Sequence, residues 1–351
     1  MAKKRELAAL ELRLMVNELQ LLKGAKVQKV YHPEKKQFIL QLHVSGIGKR
    51  LLAITFPTFL YLTESKPPQG EPSAFCQAMR NLLGNATIIS IKQHAFERII
   101  IIECSGKSSY TLILELFGTG NLIICKDQVI KLVAERRIWK DRTLKRGATY
   151  LFPDTLDTSQ LDADAFNTLE KDHGFESIVK FFARGLSLGG IYAEEICARA
   201  AIVKDNKHLS PAEQKKAYAA LQGLFKEPLK PAFFEAGDFA PFPLQSIDGE
   251  PHYYGTLSLA VEQLAILQQK KATPQDKERA RLRTIQEQQL QHLTKIEQSI
   301  VEDTRKGELI FEHYQLIQEI LMKMRDIVTK HSAQEITKKL QGHKLIKGFD
   351  P

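Results

Sequence analysis

Cysteine is scarce in this sequence of 351 residues, and long apolar runs are missing. The four cysteines, Cys76, Cys104, Cys125 and Cys197, lie far apart and form no CxxC motif. This spacing excludes a zinc ribbon or a disulfide framework and predicts buried free thiols. No segment approaches the roughly 20 apolar residues of a membrane helix, and the N-terminus has no apolar signal core. We therefore expect a cytoplasmic protein without a membrane partner.

Motifs for common catalytic and cofactor sites are also missing. The chain contains no GxSxG, HExxH or GxxxxGK[ST] sequence, and its ten histidines do not fall at metal-ligand spacing with cysteines or carboxylates. The turn Gly118-Thr119-Gly120-Asn121 is too short for a dinucleotide fingerprint, and a strand follows it where the fingerprint needs a helix. We predict no catalytic residue, no cofactor and no bound metal.

Positive charge is abundant but unevenly placed. Residues 1–150 hold 24 Lys and Arg against 12 Asp and Glu, a balance of +12, whereas residues 151–351 hold 26 against 29, a balance of −3. This asymmetry indicates either an N-terminal domain that binds a polyanion or a solubilising basic surface. Charge alone leaves both interpretations open.

Hydrophobic periodicity predicts an α+β protein with three regions. Residues 1–153 alternate between strand-like runs and short helical segments, which indicates antiparallel strands flanked by helices. Residues 154–272 indicate helices, one starting at Ser210 with proline next and glutamate three positions on. Residues 234–255 within them, rich in proline, glycine and aromatics, predict a small hairpin or ordered loop. No internal repeat is apparent.

The last region, residues 273–351, is polar and carries the apolar repeat of a coiled coil. Its apolar positions advance by alternating steps of four and three residues; they are Ile310, Tyr314, Ile317, Leu321, Met324 and Val328. We expect this segment to act as a spacer or docking arm.

Glu97 and Arg98 directly precede four consecutive isoleucines, residues 99–102. Such a β-branched run indicates a strand buried on both faces or at the centre of a sheet, and a strand end holds a charged pair more rigidly than a loop does. The pair is either a strand-end ion pair of low energy or a ligand-binding pair. In the second interpretation Arg98 contacts a phosphate or a base, while Glu97 orients it or contacts a ribose hydroxyl.

A basic segment near residue 140 surrounds the only tryptophan, Trp139. Cations next to an aromatic ring are typical of RNA-binding surfaces, where they contact phosphates and the ring stacks on a base. The alternative is a solvated loop whose tryptophan fills the core. The predicted nucleic-acid-binding residues are Arg80, Arg136, Arg137, Trp139, Lys140, Arg142, Lys145 and Arg146.

These segments together closely resemble the NFACT family over almost the whole chain. The matching blocks, in family order, are ELAALELRLMVNELQLLKGAKVQKVY, FCQAMRNLL, QHAFERIIIIE, LILELFGTGNLIICKD, RGATYLFP, LGGIYAEEICARAAI and RKGELIFEHYQLIQEILMKM. The resemblance implies an NFACT-N domain over residues 1–153, similar to the N-terminal domain of formamidopyrimidine-DNA glycosylases. It further implies a helix-hairpin-helix domain over residues 154–272 and a middle coiled coil over residues 273–351.

Membership of this family implies a non-enzymatic factor of ribosome-associated quality control. Family members recognise large ribosomal subunits that still carry peptidyl-tRNA. They recruit aminoacyl-tRNA and promote untemplated C-terminal tailing of the stalled peptide, while the ribosome forms the peptide bonds. The expected partners are therefore the large ribosomal subunit and tRNA.

The resemblance also assigns residues to tRNA binding and tailing, namely Glu6, Glu97 and Arg98. Both acids are glutamate where the family pattern has aspartate, so the charge is kept but the reach is one methylene longer. Ala2 stands where the glycosylases place an N-terminal proline nucleophile, so no glycosylase activity is implied.

The sequence stops after the first arm of the expected coiled coil, without the returning helix and the NFACT-R domain of full-length members. We expect the unpaired arm to allow self-association. Two alternatives remain. One is a surface adhesin, because some bacterial members carry an older fibronectin-binding label. The other is a DNA-repair glycosylase-like protein, because of the implied fold.

Overall fold

A computed structural model describes residues 5–65, 72–139, 142–234, 238–247, 249–271, 274–328 and 335–336. The chain divides into two compact units, residues 1–271 and residues 272–351. Helices and a large antiparallel sheet form the first unit, which confirms the predicted α+β class. The predicted boundary near residue 153, inside this unit, stays a prediction.

The first unit contains runs of strands separated by single helices, followed by a run of helices. Its helices are α1 Ala9–Leu19, α2 Ala74–Leu83, α3 Ala163–Asp172, α4 Ile178–Lys180, α5 Gly190–Ala200, α6 Pro211–Lys226 and α7 Leu257–Lys271. Its strands are β1 Lys26–Glu34, β2 Gln37–Val44, β3 Gly48–Thr55, β4 Phe59–Thr63, β5 Thr87–Gln93, β6 Ile99–Ser105, β7 Ser109–Glu115, β8 Asn121–Lys126, β9 Val129–Val133, β10 Arg137–Ile138, β11 Thr143–Leu144, β12 Ala232–Phe234, β13 Asp238–Ala240 and β14 Pro251–Tyr253. A π-helical turn, Phe181–Gly185, continues α4.

Within the described residues, the main sheet has nine antiparallel strands in the order β4-β3-β2-β1-β5-β6-β7-β8-β9. Each strand pairs with its sequence neighbour except at the centre, where β1 lies beside β5. The sheet therefore consists of two meanders. We call α1 with β1–β4 the first half and α2 with β5–β9 the second half.

Four backbone hydrogen bonds join the halves in a symmetric exchange. Gly24 N donates to Ile88 O over 2.8 Å and Asn85 N donates to Val27 O over 2.9 Å. Val27 N donates to Ala86 O and Ile88 N donates to Ala25 O, both over 2.9 Å. Each bond donated by the first half has a counterpart donated by the second half between the equivalent residues. The two halves therefore meet in equivalent ways.

The isoleucine run lies in β6 and is buried on both faces, as predicted. Ile100 and Ile102 belong to the main apolar core, whereas Ile99 belongs to a second cluster on the opposite face, with Ile113 and Tyr150. Successive side chains of a strand point to opposite faces, so a continuous apolar run requires a core on each side. The start of β6 is therefore fixed between two packed layers.

The helices predicted after residue 154 are confirmed. Helix α6 begins with a capping box in which Ser210 Oγ accepts from Glu213 N and Glu213 Oε2 accepts from Ser210 N. The predicted hairpin or ordered loop contributes to a three-stranded sheet of order β13-β12-β14. Helix α7 packs beside the first half, where Leu257 N donates to Glu18 and Leu62 N donates to Ser258 Oγ.

The second unit contains α8 Pro274–Glu312 and α9 Tyr314–Val328. Positions of the predicted apolar stripe are exposed here, Tyr314 by 58% and Leu321 by 64%. The coiled coil and self-association through it stay predictions. No helix in the described residues is long and apolar enough to cross a membrane.

All four cysteines are buried and free, as predicted. Burial raises the pKa of Cys104 to about 12 and those of Cys125 and Cys197 to about 11. These thiols are therefore protonated near neutral pH and unreactive.

Candidate nucleic-acid interface

Arg98 pairs with Glu6 and not with its neighbour Glu97. Arg98 Nη1 lies 2.7 Å from Glu6 Oε2, and Arg98 Nη2 donates to Pro57 O over 3.0 Å. Among the described residues, nothing accepts a hydrogen bond from the buried Arg98 Nε. The interpretation of Glu97 and Arg98 as a strand-end ion pair is therefore wrong. Arg98 instead forms an ion pair with Glu6.

Glu97 lies half-buried beside the helical part of the unit. Its Oε1 accepts a long hydrogen bond of 3.4 Å from Ser187 Oγ, which lies before α5. Glu97 N donates to His94 O within the turn that precedes β6. The two carboxylates, Glu6 and Glu97, thus have different neighbours, and Glu6 is the one fixed against the guanidinium. We call Glu6, Pro57, Glu97 and Arg98 the Arg98 cluster.

A buried network lies directly behind Glu6. Arg5 pairs with the fully buried Glu11, whose Oε1 also accepts from Tyr192 OH over 2.8 Å. Arg5 Nη1 donates to the carbonyl oxygen of Glu6 over 2.6 Å. Burial raises the pKa of Tyr192, and the negative charge of Glu11 acts in the same direction. This network anchors the backbone of Glu6. Sequence reasoning missed it because Tyr192, which completes it at Glu11, lies 181 residues away along the chain.

Two turns, one from each half of the main sheet, meet beside the Arg98 cluster. Phe56 packs so closely on Gly120 that a Cβ at Gly120 would lie 2.6 Å from Phe56 Cβ. Gly120 has φ +71°, as the predicted glycine turn requires. Lys36 Nζ donates to Thr119 O over 2.7 Å, while Pro57 O accepts from Arg98. We call this meeting of residues 56–57 with residues 118–120 the turn junction.

On the other side of the junction, three cations surround one carboxylate. Glu135 Oε1 lies 2.5 Å from Lys36 Nζ and 4.0 Å from Lys35 Nζ, and Glu135 Oε2 lies 2.6 Å from Arg137 Nη2. Burial alone would raise the pKa of Glu135, but hydrogen bonds from Lys36 and Arg137 outweigh it and lower that pKa. Burial lowers the pKa of Lys36. We call Lys35, Lys36, Glu135 and Arg137 the Glu135 cluster; it has a surplus of two positive charges.

Strands β10 and β11 form a hairpin that presents Trp139. Its side chain is 46% exposed, so the alternative that the tryptophan fills the core is wrong. The Cζ atoms of Arg137 and Arg142 lie 5.8 Å and 6.0 Å from the Trp139 ring centroid. Arg142 is anchored by the buried Glu115, which also accepts from Tyr150 OH over 2.8 Å.

The remaining predicted nucleic-acid residues fall into three groups. Arg136, Lys145 and Arg146 are exposed, and none of their side chains makes a hydrogen bond or ion pair with another described residue. Arg80 differs, because its Nε and Nη2 donate to Val30 O over 2.9 and 2.7 Å, which favours a structural role. Lys140 lies outside the described residues.

The structure also brings together two histidines and a glutamate, which the histidine spacing did not predict. Ligand atoms of Glu170, His173 and His208 lie within 4.8 Å of one another. The Glu170 oxygens already accept from Leu209 N over 2.9 Å and from Gln214 Nε2 over 2.5 Å. We therefore interpret the cluster as a contact that ties α3 to the start of α6.

Comparison with known proteins places this chain in a family. Residues 9–343 match the family described as NFACT N-terminal and middle domains. The archaeal Rqc2 homolog aRqcH of Methanocaldococcus jannaschii is 30% identical over 97% of this chain and 55% of its own length. Ribosome quality control complex subunit 2 of Saccharomyces cerevisiae is 29% identical over 49% of this chain and 17% of its own length. The chain thus spans about half or less of these relatives.

A solved structure has a similar fold at low sequence identity. The N-terminal part of the fibronectin/fibrinogen-binding protein from Streptococcus suis superposes with a TM-score of 0.62 at 20% identity, covering 76% of this chain and all of that one. At this identity the likeness shows the fold alone.

Proposed function

The chain belongs to the NFACT family, and on this premise we propose that it is a ribosome-associated quality control factor. In this role it binds tRNA and large ribosomal subunits obstructed by peptidyl-tRNA. It recruits aminoacyl-tRNA and supports untemplated C-terminal tailing of the stalled chain, while the ribosome makes the peptide bonds. The proposed site of action is the cytoplasm, and the protein is not an enzyme in its own right.

The observation that carries the proposal is the continuity of the Arg98 cluster, the turn junction and the Glu135 cluster. Arg98 donates to Pro57 O, Phe56 packs on Gly120, and Arg137 Nη2 donates to Gly120 O over 3.3 Å. These contacts run from Arg98, which the family resemblance assigns to tRNA binding, to Arg137 of the basic segment, and they support a common binding surface. A long polyanion such as tRNA can contact both ends of such a surface at once.

Within this surface, Glu6 holds Arg98 in a fixed orientation. The Glu6 and Arg98 side chains are 35% and 23% exposed, so both remain accessible to a ligand. A guanidinium fixed by a carboxylate and a carbonyl loses little conformational entropy when it contacts a phosphate or a ribose. The half-buried Glu6 and Glu97 carboxylates can accept hydrogen bonds from ribose hydroxyls, which are present in RNA and partly lacking in DNA.

The first test is Arg98→Ala with tRNA binding as the readout. We expect the dissociation constant for tRNA to rise on the order of tenfold or more, because a charge-assisted contact is lost. Arg98→Lys should recover only part of the affinity, since an ammonium cannot reproduce the fork. Arg50→Ala is a matched control, because within the described part of the chain the Arg50 side chain donates a hydrogen bond only to Lys49 O of its own strand. Unchanged tRNA affinity in Arg98→Ala would remove Arg98 from the proposal.

The second test is sequencing of the RNA that co-purifies with the protein from cells. Enrichment of tRNA and large-subunit rRNA is the expected result. If neither is enriched over total RNA, the quality control proposal is refuted. The adhesin alternative rests on the names of structural neighbours at 20 to 22% identity, and no observation on this chain favours it. No observation on this chain favours glycosylase activity either.

A further inference from the structure

We propose that Trp139 and the Glu135 cluster form a site for one unpaired RNA nucleotide. The base stacks on Trp139, and the adjacent phosphate contacts Lys35, Lys36 and Arg137. This inference rests on the proposed RNA-binding role and deepens it. Contact with phosphates alone does not require an unpaired base, whereas the inference assigns an unpaired nucleotide to the hairpin.

The indole of Trp139 is accessible to a ligand. Flat groups in contact lie ~3.5–4.0 Å apart, whereas the guanidinium carbons of Arg137 and Arg142 lie 5.8 and 6.0 Å from the ring centroid. The two guanidinium groups therefore lie over the ring but beyond stacking distance from it. Nearly half of the Trp139 side chain is accessible to solvent, so a base can reach it.

The side chains next to the Trp139 ring are held in place. Arg142 is held by Glu115, whose side chain is only 3% exposed. Arg137 is held by Glu135 and by Gly120 O. The indole therefore lies between two side chains that are already fixed, and stacking a base there orders few additional groups. An exposed tryptophan on a free loop would lack this advantage.

The Glu135 cluster places a surplus of positive charge near the ring. Lys35, Lys36 and Arg137 share the single carboxylate of Glu135, and Arg137 also flanks Trp139. The Lys35 side chain is 74% exposed and that of Lys36 is 32% exposed. The surplus positive charge therefore faces solvent beside the ring, where the phosphate of a stacked nucleotide would lie.

The exposed ring and the positive charge near it together favour unpaired RNA over other polyanions. In a duplex the base faces are stacked on their neighbours and cannot reach Trp139, whereas loops and single strands offer free faces. An acidic peptide can neutralise the lysines but has no base to place on the indole. Ring and charge together therefore favour a nucleotide in a loop or a single strand.

The experiment uses the intrinsic fluorescence of the chain, because Trp139 is its only tryptophan. A short oligouridylate should quench this emission with saturation. An RNA duplex with the same number of phosphates should bind at least about tenfold more weakly in this assay, and polyglutamate of equal charge should leave the emission unchanged. Equal quenching by oligouridylate and duplex, or quenching by polyglutamate, would overturn the inference.

Variants separate the ring from the charge. Trp139→Ala should weaken oligouridylate binding about tenfold, whereas Trp139→Phe should retain most of it because one stack is kept. Ile138→Ala is the matched control, since Ile138 is 62% exposed on the same hairpin and adjacent positions of a strand face opposite ways. Lys35→Ala combined with Lys36→Ala should reduce the salt dependence of binding. Equal affinities for Trp139→Ala and Ile138→Ala would also overturn the inference.

The two proposals fail in different ways. If tRNA binds the protein without changing Trp139 emission, the nucleotide site is wrong and the quality control role stands. If oligouridylate binds with quenching but cellular tRNA and large-subunit rRNA are not enriched, the nucleotide site stands and the quality control role is wrong.

Discussion

The two halves of the main sheet share an order of elements, a helix followed by a meander, and they also share details at their turns. Phe56 N donates to Lys36 O over 2.8 Å in the first half, and Leu116 N donates to Arg98 O over 2.7 Å in the second. Lys36 then donates to a carbonyl in the turn of the other half, as Arg98 does. Lys36 and Arg98 therefore occupy equivalent positions.

The halves differ in what is added to this common frame. In the first half only residues 35–36 connect the first two strands, whereas in the second half residues 94–98 do so. The second half also continues through β9 into the β10–β11 hairpin. The candidate interface thus combines additions to the second half with Lys35 and Lys36 of the first half, while Phe56 and Pro57 of the first half hold the turn junction. Three changes test this division of roles, in decreasing order of expected effect.

The largest effect is expected from Gly120→Ala, which separates the halves at the turn junction. The new Cβ would meet Phe56 atoms at 2.6 and 2.8 Å, and the backbone has φ +71°. Overpacking and left-handed strain together should lower the free energy of unfolding by about 3 kcal/mol. Urea denaturation measures this change, and RNA affinity should fall with it.

Gly118→Ala is the matched control in the same turn. Gly118 has φ +60°, but a Cβ there would meet nothing within 4 Å. Only the conformational penalty of about 1–2 kcal/mol should remain. Equal losses for both variants would mean that the contact of Phe56 with Gly120 does not hold the halves together.

An intermediate effect is expected from reversing the charge of Arg136 and Arg137 on the hairpin side. RNA affinity should fall on the order of tenfold at low salt, and the slope of log affinity against log salt should flatten by roughly 0.7 for each lost phosphate contact. The control is the same reversal at Lys171 and Lys215, exposed residues of α3 and α6. A slope that changes equally in both double variants would assign the effect to net charge.

The smallest effect is expected from Glu135→Gln, which removes the carboxylate shared by both halves. The pKa of Glu135 is lowered from its ordinary value of 4.5 by Lys36 and Arg137, against the opposing effect of burial. Ionised Glu135 therefore stabilises the fold above pH 4.5, and this contribution is lost as pH falls through the lowered pKa. Unfolding free energies of wild type and variant should differ by up to about 1 kcal/mol near neutral pH. The difference should vanish in acid, and a constant difference would contradict the linkage.

Local patterns made much of the fold predictable. The isoleucine run predicted β6 because a strand buried on both faces needs apolar side chains at consecutive positions. The Ser210 capping box predicted the start of α6 because its two hydrogen bonds link residues three positions apart. The glycines before β8 marked a turn in the sequence, and Gly118 and Gly120 of that turn have positive φ.

Contacts between distant residues were not predictable in the same way. Glu6 pairs with Arg98, and Lys36 reaches Thr119, only because the two halves curve toward each other at the turn junction. The equivalence of the halves was also missed, because it lies in backbone hydrogen bonds and not in side-chain identity. The contact of Glu170 with His208 needs the packing of α3 against α6. Residue types near Trp139 indicated the hairpin's chemistry, but not that Glu115 and Glu135 would anchor its arginines.

The symmetric exchange of hydrogen bonds between residues 24–27 and residues 85–88 has a consequence for how the chain folds. Apart from this seam, strands of the main sheet pair with sequence neighbours, so each meander assembles from local contacts. Local contacts close short loops and form fast, whereas the seam must bring together residues separated by the whole first meander. We expect the docking of two preformed meanders to limit the folding rate, and two separately produced fragments carrying them should associate through the same seam.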